Sequence, residues 1–341
     1  MDAQKYGALL YIDGRSVWEG WGEATDRRIA DLPFDQVLAT EPEGNSRLWV
    51  LADSRIAVVD LVSGATEVAA VVEPSPNREE GALLMTENQR SIAYTVGVQD
   101  NSTLVGVATY VGLYDVQTQR TRPLTRLTGS LGLLGSNPQE DALYAVVLGG
   151  DGAFSEIQSI SLEDGAVTTA TELQGYGFAW ASESPDGRRI AVLEEDTEVD
   201  MVGNLVITRV IAVYNTAAPD APPLTFSLPQ QPNETYGGIW APDSRRLYFG
   251  LSAYSTGDYN PGNLETRGLW QLDMVTGAWT EIPTPSQLIV YPMFVSPDGQ
   301  AILLNWWDPS SQVYWQVLVD LQTGETIPLS LPVGAQVAAW R

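Results

Sequence analysis

Ser184-Pro185-Asp186-Gly187-Arg188-Arg189, followed directly by the apolar run Ile190-Ala191-Val192-Leu193, is the stretch that decides the fold. Proline sets one backbone angle, aspartate bonds its own backbone, and glycine supplies a positive φ, so the segment reads as a tight turn entering a strand. The same order returns twice. Ala241-Pro242-Asp243-Ser244-Arg245-Arg246 precedes Leu247-Tyr248-Phe249, and Ser296-Pro297-Asp298-Gly299 precedes Ala301-Ile302-Leu303-Leu304.

Working outward, equivalent turns fall near Gly44, Asn88, Glu140, Gly187, Ser244 and Gly299, spaced 44, 52, 47, 57 and 55 residues apart. A second marker closes the third strand of several units: Asp60-Leu61-Val62-Ser63-Gly64, Asp115-Val116-Gln117-Thr118, Leu162-Glu163-Asp164-Gly165, Asp273-Met274-Val275-Thr276-Gly277 and Asp320-Leu321-Gln322-Thr323-Gly324. Short alternating runs of Val, Ile, Leu, Tyr and Trp flank each marker and read as strands. No amphipathic helical pattern of useful length interrupts them.

Four short strands per unit and a period of this size describe propeller blades. The expected fold is all-β: a seven-bladed β-propeller of four-stranded antiparallel blades, with six or eight blades as alternatives. One domain spans residues 1–341, with blades at 35–79, 80–130, 131–176, 177–235, 236–287 and 288–334. The seventh blade joins the two ends, 1–34 and 335–341. Gln336-Val337-Ala338-Ala339-Trp340 supplies its first strand, Tyr6 to Ile12 the second, Arg15 to Trp21 the third and Arg27 to Leu32 the fourth. That pairing closes the ring and removes open sheet edges.

The Pro-Asp-Gly turns, the aromatic residue ahead of them (Trp180, Trp240) and the Asp-x-x-Thr-Gly turns resemble the propeller repeats of TolB-type and WD-repeat-like proteins. The likeness covers nearly the whole chain and is firmest from Gly177 onward. Asn88-Gln89 and Gln139-Glu140 depart from it, and a chain without histidine lacks the Gly-His signature of true WD repeats. The resemblance implies an extracytoplasmic setting.

Composition narrows the chemistry. The chain has 341 residues and 44% hydrophobic content, with no histidine and no cysteine. Ser-His-Asp and Cys-His catalysis, disulfides and imidazole or thiolate metal sites are therefore excluded. Net charge is −25, from 43 acidic and 18 basic residues. Such a surface repels phosphate backbones and anionic lipids, so no nucleic-acid partner is expected. No apolar run is long enough to cross a membrane, and Met1-Asp2-Ala3-Gln4-Lys5 does not have the form of a secretory leader.

Function is expected on the loops between second and third strands and between blades, which share one face of a propeller. The candidate binding residues there are Asp100, Asn101, Asp151, Tyr176, Asp196, Glu198, Asp200, Tyr236, Tyr254, Asp258 and Tyr259. In extended chain Glu194, Asp196, Glu198 and Asp200 point to one side. They form a solvated acidic hairpin or hold calcium at Asp196, Glu198 and Asp200, since hard oxygen ligands suit that ion. No other cofactor is expected. The turn aspartates and Trp180, Trp240 and Trp340 are read as structural. Of the pair Trp306-Trp307, one ring is expected between blades and the other exposed. Three functions follow. The first is a non-catalytic binding module offering acidic and tyrosine-bearing loops to a protein or peptide. The second is a carbohydrate-active enzyme, a glycoside hydrolase or lyase, working through carboxylates alone. The third is a structural subunit of a surface assembly.

Overall fold

The computed structural model describes residues 3–23, 25–72, 81–86, 89–102, 106–129, 131–137, 141–148, 154–172, 177–199, 205–218, 221–229, 234–254, 264–284, 289–308, 313–332 and 334–341. Strands dominate them. In chain order, β1 (Leu9–Asp13), β2 (Ser16–Gly20) and β3 (Arg27–Asp31) come first. Blade one is β4 (Val37–Glu43), β5 (Arg47–Ala52), β6 (Arg55–Asp60) and β7 (Thr66–Val71). Blade two is β8 (Gly81–Met85), β9 (Ser91–Gln99), β10 (Val107–Asp115) and β11 (Arg120–Thr128). Blade three is β12 (Leu131–Asn137), β13 (Ala142–Leu148), β14 (Phe154–Ser161) and β15 (Val167–Glu172). Blade four is β16 (Gly177–Glu183), β17 (Arg189–Val199), β18 (Leu205–Asn215) and β19 (Leu224–Ser227). Blade five is β20 (Glu234–Trp240), β21 (Arg246–Tyr254), β22 (Leu264–Asp273) and β23 (Trp279–Ile282). Blade six is β24 (Ile289–Val295), β25 (Ala301–Asp308), β26 (Val313–Asp320) and β27 (Thr326–Pro328). The last strand, β28 (Gln336–Trp340), returns to β1, giving the order β28-β1-β2-β3 and seven four-stranded antiparallel sheets in all.

The turns form for the reasons their residues suggest. Asp186 accepts from Ser184 Oγ at 2.7 Å, and Asp298 from Ser296 Oγ at 2.6 Å. Asp60, Asp115, Asp273 and Asp320 each accept the backbone N–H three residues on, at 2.6–2.8 Å. These bonds lead in holding the Asp60, Asp115 and Asp273 carboxyls below their ordinary value; at Asp320 burial works the other way, and the Tyr6 hydroxyl leads the bonds that outweigh it. The position that needs a left-handed backbone is filled by Gly44, Gln89, Asp141, Gly187, Ser244 and Gly299. In blades two and three it therefore lies one residue beyond Asn88 and Glu140. Nothing in those two turns marks the position, because no glycine is available to take it.

The core sits between blades rather than at the ring's centre. Leu48, Val50 and Ala57 of blade one pack on Leu10, Ile12 and Val17 of the closing blade. Leu247 and Phe249 of blade five meet Leu193 and Ile211 of blade four. On the other side of the closing blade, Leu9 and Tyr11 meet Ala301, Leu303 and Leu318 of blade six. Similar clusters fill the remaining four junctions. Six of the seven innermost strands carry a register shift against their neighbour. Such bulges add twist, which lets a short strand curve along the central channel. Trp240 and Trp340 are buried, and Trp180 packs edge-on to Phe249 at 5.2 Å. Trp306 is buried between blades five and six, whereas Trp307 stays partly exposed.

Closure is dense. Ala8 and Arg341 exchange backbone hydrogen bonds at 2.8 and 3.0 Å, and Trp340 Nε1 donates to the Tyr6 carbonyl at 2.7 Å. The Trp340 ring stands edge-on to Trp21 at 5.6 Å. Arg341 Nε donates to Glu19 at 2.8 Å, and Tyr6 Oη donates to Asp320 of blade six. The chain ahead of β1 departs from expectation. Ala3–Tyr6 is a single 3-10 turn, and the strand starts only at Leu9. Gly7 makes the bend possible: its φ is +93°, and a Cβ there would lie 2.1 Å from the Arg341 carbonyl oxygen.

Removing the indole of Trp340 deletes a buried ring and its hydrogen bond to Tyr6. Trp340→Ala is expected to cost about 3–5 kcal/mol, read as a shift of the urea unfolding midpoint. A change below about 1 kcal/mol would mean that the seam carries little of the stability.

Candidate functional site

The second-to-third-strand hairpins of the blades all turn at one end of the propeller, because each blade repeats the same strand order. Asp100 and Asn101 close the β9–β10 hairpin there. Asp100 pairs with Arg126 Nη2 and accepts from the Ser102 backbone at 2.9 Å, and Asn101 accepts from Gln99 Nε2 at 3.3 Å. Tyr254 ends β21 opposite Leu264, and Tyr236 lies in β20 opposite Gly250. For Tyr236, Tyr254, Asp196 and Glu198 the description covers backbone only. Asp151, Tyr176, Asp200, Asp258 and Tyr259 lie outside the described residues.

Blade four carries the most extended feature of this end. β17 and β18 have 11 residues each and stay in register from Arg189↔Asn215 to Val199↔Leu205. Their neighbours stop short. β16 last pairs at Gly177↔Glu195, and β19 at Ser227↔Val210. Asp196–Val199 and Leu205–Thr208 therefore have strand partners only in each other among the described residues. A two-stranded ribbon runs past its own sheet, with Asp196 opposite Thr208 and Glu198 opposite Val206. Glu194 does not belong to its solvated row. It is 5% exposed and accepts a hydrogen bond from Tyr214 Oη. Burial, then the Glu194 carboxylate, push the Tyr214 phenol far above its ordinary value. Among the described residues, no three Asp or Glu side chains gather as a metal site.

The opposite end of the channel holds a cavity of about 580 Å³ at the seam of blade six, the closing blade and blade one. Phe294, Pro297, Ala338 and Trp340 give it apolar walls, and Thr40, Glu41, Asn45 and Arg341 give it polar groups. Arg341 is already engaged, by Glu19 and by the Asn45 carbonyl at 2.8 Å. Glu41 is the one Asp or Glu of the wall among the described residues. Its Oε1 accepts the Met85 backbone N–H at 3.1 Å, but desolvation outweighs that bond and pushes the carboxyl up to about 7. The sequence reading passed over Glu41. The signal was present: a glutamate stands before Pro42 where blades four and six place Ser184 and Ser296 before their prolines.

No protein-family model matches the chain. No curated protein matches it by sequence either. Solved structures do. An oligogalacturonate lyase in complex with manganese superposes with a TM-score of 0.62 at 12% identity, over 93% of this chain and 89% of that one. The oligogalacturonate lyase of Vibrio parahaemolyticus gives 0.61 at 13% identity, over 94% and 93%. TolB from Acinetobacter baumannii gives 0.45 at 14% identity, over 86% and 67%. At such identities the two lyase likenesses establish the propeller fold alone.

Glu41 makes stability depend on pH in a defined direction. The folded carboxyl holds its proton to about pH 7, whereas its ordinary value is 4.5. Between those values the folded state binds more protons than the unfolded chain, so the Glu41 contribution falls as pH rises through the window. Wild type should lose more stability than Glu41→Gln between pH 5 and pH 8, measured as urea midpoints. Parallel pH profiles would place Glu41 in water instead.

Proposed function

We propose that this propeller is a non-catalytic binding module whose partner is a basic protein or peptide engaging the loop-bearing end. The blade-four ribbon carries the reading. It extends past the pairing of both flanking strands, so among the described residues the outer edges of Asp196–Val199 and Leu205–Thr208 have no further strand partner. A strand edge of that kind is a ready template for a peptide in extended form. Glu195, Asp196 and Glu198 fall on or next to the ribbon, in a chain of net charge −25. Opposite charge on the partner would speed encounter and fix its register. Calcium bridging Asp196, Glu198 and Asp200 is a subsidiary part of the proposal; it would stiffen the ribbon rather than take part in chemistry. In this reading the partner is met outside the cytoplasm, as the TolB-type resemblance implies. Among the described residues, no helix is long and apolar enough to cross a membrane.

A carboxylate-based enzyme acting on carbohydrate is the second reading, and Glu41 is the observation in its favour. Glu41 lines the cavity, and a carboxyl raised by burial suits a general acid. Glycoside hydrolysis, however, needs two carboxylates flanking one bond. Among the described residues the cavity wall offers Glu41 as its one Asp or Glu, so the binding reading is the better supported. A structural role within a surface assembly would use the same ribbon and differs only in the permanence of the contact.

Charge reversal tests the proposal. The double variant Asp196→Lys/Glu198→Lys should lower retention of a Lys/Arg-rich extended peptide by about tenfold at low salt, with the urea midpoint little changed. Equal retention by wild type and variant would remove the ribbon from the interface. Identical melting curves with calcium and with chelator would remove the ion.

A further inference from the structure

Blade six carries a surface that neither its own packing nor the acidic ribbon explains. β26 opens with three exposed apolar residues, of which Tyr314, 62% exposed, faces one side of the blade and Val313 and Trp315 the other. Tyr314 stands directly opposite Trp307 on β25, and Asn305 opposite Gln316. Tyr291 of β24 stands opposite Asn305. Alternation along each strand places Trp307, Asn305, Tyr314, Gln316 and Tyr291 on one face of the blade. That face is the one turned toward the closing blade, because Ala301 and Leu303, further down β25, pack on Leu9 and Tyr11.

Tyr314 is exposed and Trp307, Asn305, Gln316 and Tyr291 are only partly buried, because the closing blade is short. β1 and β2 have five residues each and meet in a tight turn at Gly14-Arg15, while β25 and β26 have eight. Packing therefore covers Ala301 and Leu303 and stops below Trp307. The indole of Trp307 and the ring of Tyr314 are nearly parallel, 20° apart with centroids 6.1 Å from each other. Tyr291 flanks Tyr314 at 6.5 Å. Below the rings lie the Asn305 and Gln316 side-chain amides, which are only partly buried and make no side-chain hydrogen bond among the described residues.

We propose that this aromatic and amide face of blade six binds a neutral, β-linked oligosaccharide. The chemistry of the face selects that ligand. An aromatic ring presents electron density from its face, which favours the C–H-rich flat side of an equatorially substituted pyranose. The Trp307–Tyr314 pair is stacked, so its outer face can carry one sugar, and Tyr291, 6.5 Å from Tyr314, extends the apolar surface toward the next. Each side-chain amide offers both a donor and an acceptor, so it can bind a pair of adjacent hydroxyls. Charge argues against acidic glycans: with a net charge of −25 the protein repels a polyuronate. The site is independent of the blade-four ribbon and of the peptide partner proposed for it.

The test is calorimetric titration of the full chain with cellohexaose and with xylohexaose, using a hexagalacturonate as the acidic control. Binding of at least one neutral hexaose is expected, with the acidic control inert. Tyr314→Ala, at an exposed position, and Asn305→Ala should each weaken binding by about tenfold or more, with wild-type unfolding midpoints. Asp196→Lys/Glu198→Lys should leave the titration unchanged. The proposal is overturned if neither neutral hexaose binds, if only the polyuronate binds, if both blade-six variants bind as wild type does, or if the rings capture a peptide while every glycan stays inert.

Discussion

Everything in this molecule depends on a single strand pairing. β28 comes from the end of the sequence and β1 from its start, and their ladder turns a row of blades into a ring. A blade cannot bury both faces of its sheet alone; each face needs a neighbour. Seven clusters of apolar side chains, one at each junction, show the requirement met all the way round. One of them joins the two ends of the sequence directly, since Leu9 and Tyr11 pack on Ala301, Leu303 and Leu318 of blade six, and Ala338 and Ala339 of β28 complete the cluster that faces blade one. Polar groups reinforce the same seam. Glu19 accepts from both Arg27 and Arg341, and although burial raises its carboxyl, those two guanidiniums outweigh it and hold the group ionised. Asp320 is likewise held far below its ordinary value: burial works against this, but bonds from Tyr6, from the Thr323 and Gln322 backbone and from Lys5 prevail.

A rigid ring leaves function to the ends of its blades, and here the two ends differ. One end carries hairpins of unequal length, and that inequality generates both candidate surfaces. Long β17 and β18 outrun their neighbours and make an acidic ribbon. Short β1 and β2 fail to cover blade six and leave its rings in view. The other end carries the tight turns and the cavity of Glu41. Repeat architecture makes such asymmetry cheap, because lengthening one hairpin disturbs no junction between blades.

Much of the fold was legible because its turns impose local backbone demands that few residues satisfy. Asp186-Gly187 and Asp298-Gly299 announce themselves for that reason. Gln89 and Asp141 adopt the same left-handed backbone without glycine, so the period blurred by one residue in blades two and three. Ring closure was readable because Trp340 repeats the pattern of Trp180 and Trp240. The sites were less legible, since they depend on register and relative length. The Trp306-Trp307 doublet signalled one exposed ring, but its pairing with Tyr314 and the bare flank of blade six emerge only once strands are aligned. Glu194 reads as one more acidic residue in a run, yet Tyr214, twenty positions later, encloses it. Glu41 looks like turn punctuation until the strands are aligned and its carboxyl is found buried against the Met85 backbone of blade two.

Hydrogen exchange on the native protein tests ring closure most directly. Backbone amides in residues 336–341 should exchange only through global unfolding, with the same free energy and denaturant dependence as the buried β5 and β21 amides. Exchange of that terminal segment through a low-energy local opening, while β5 and β21 stay protected, would contradict the account: the ring would then hold without its last strand.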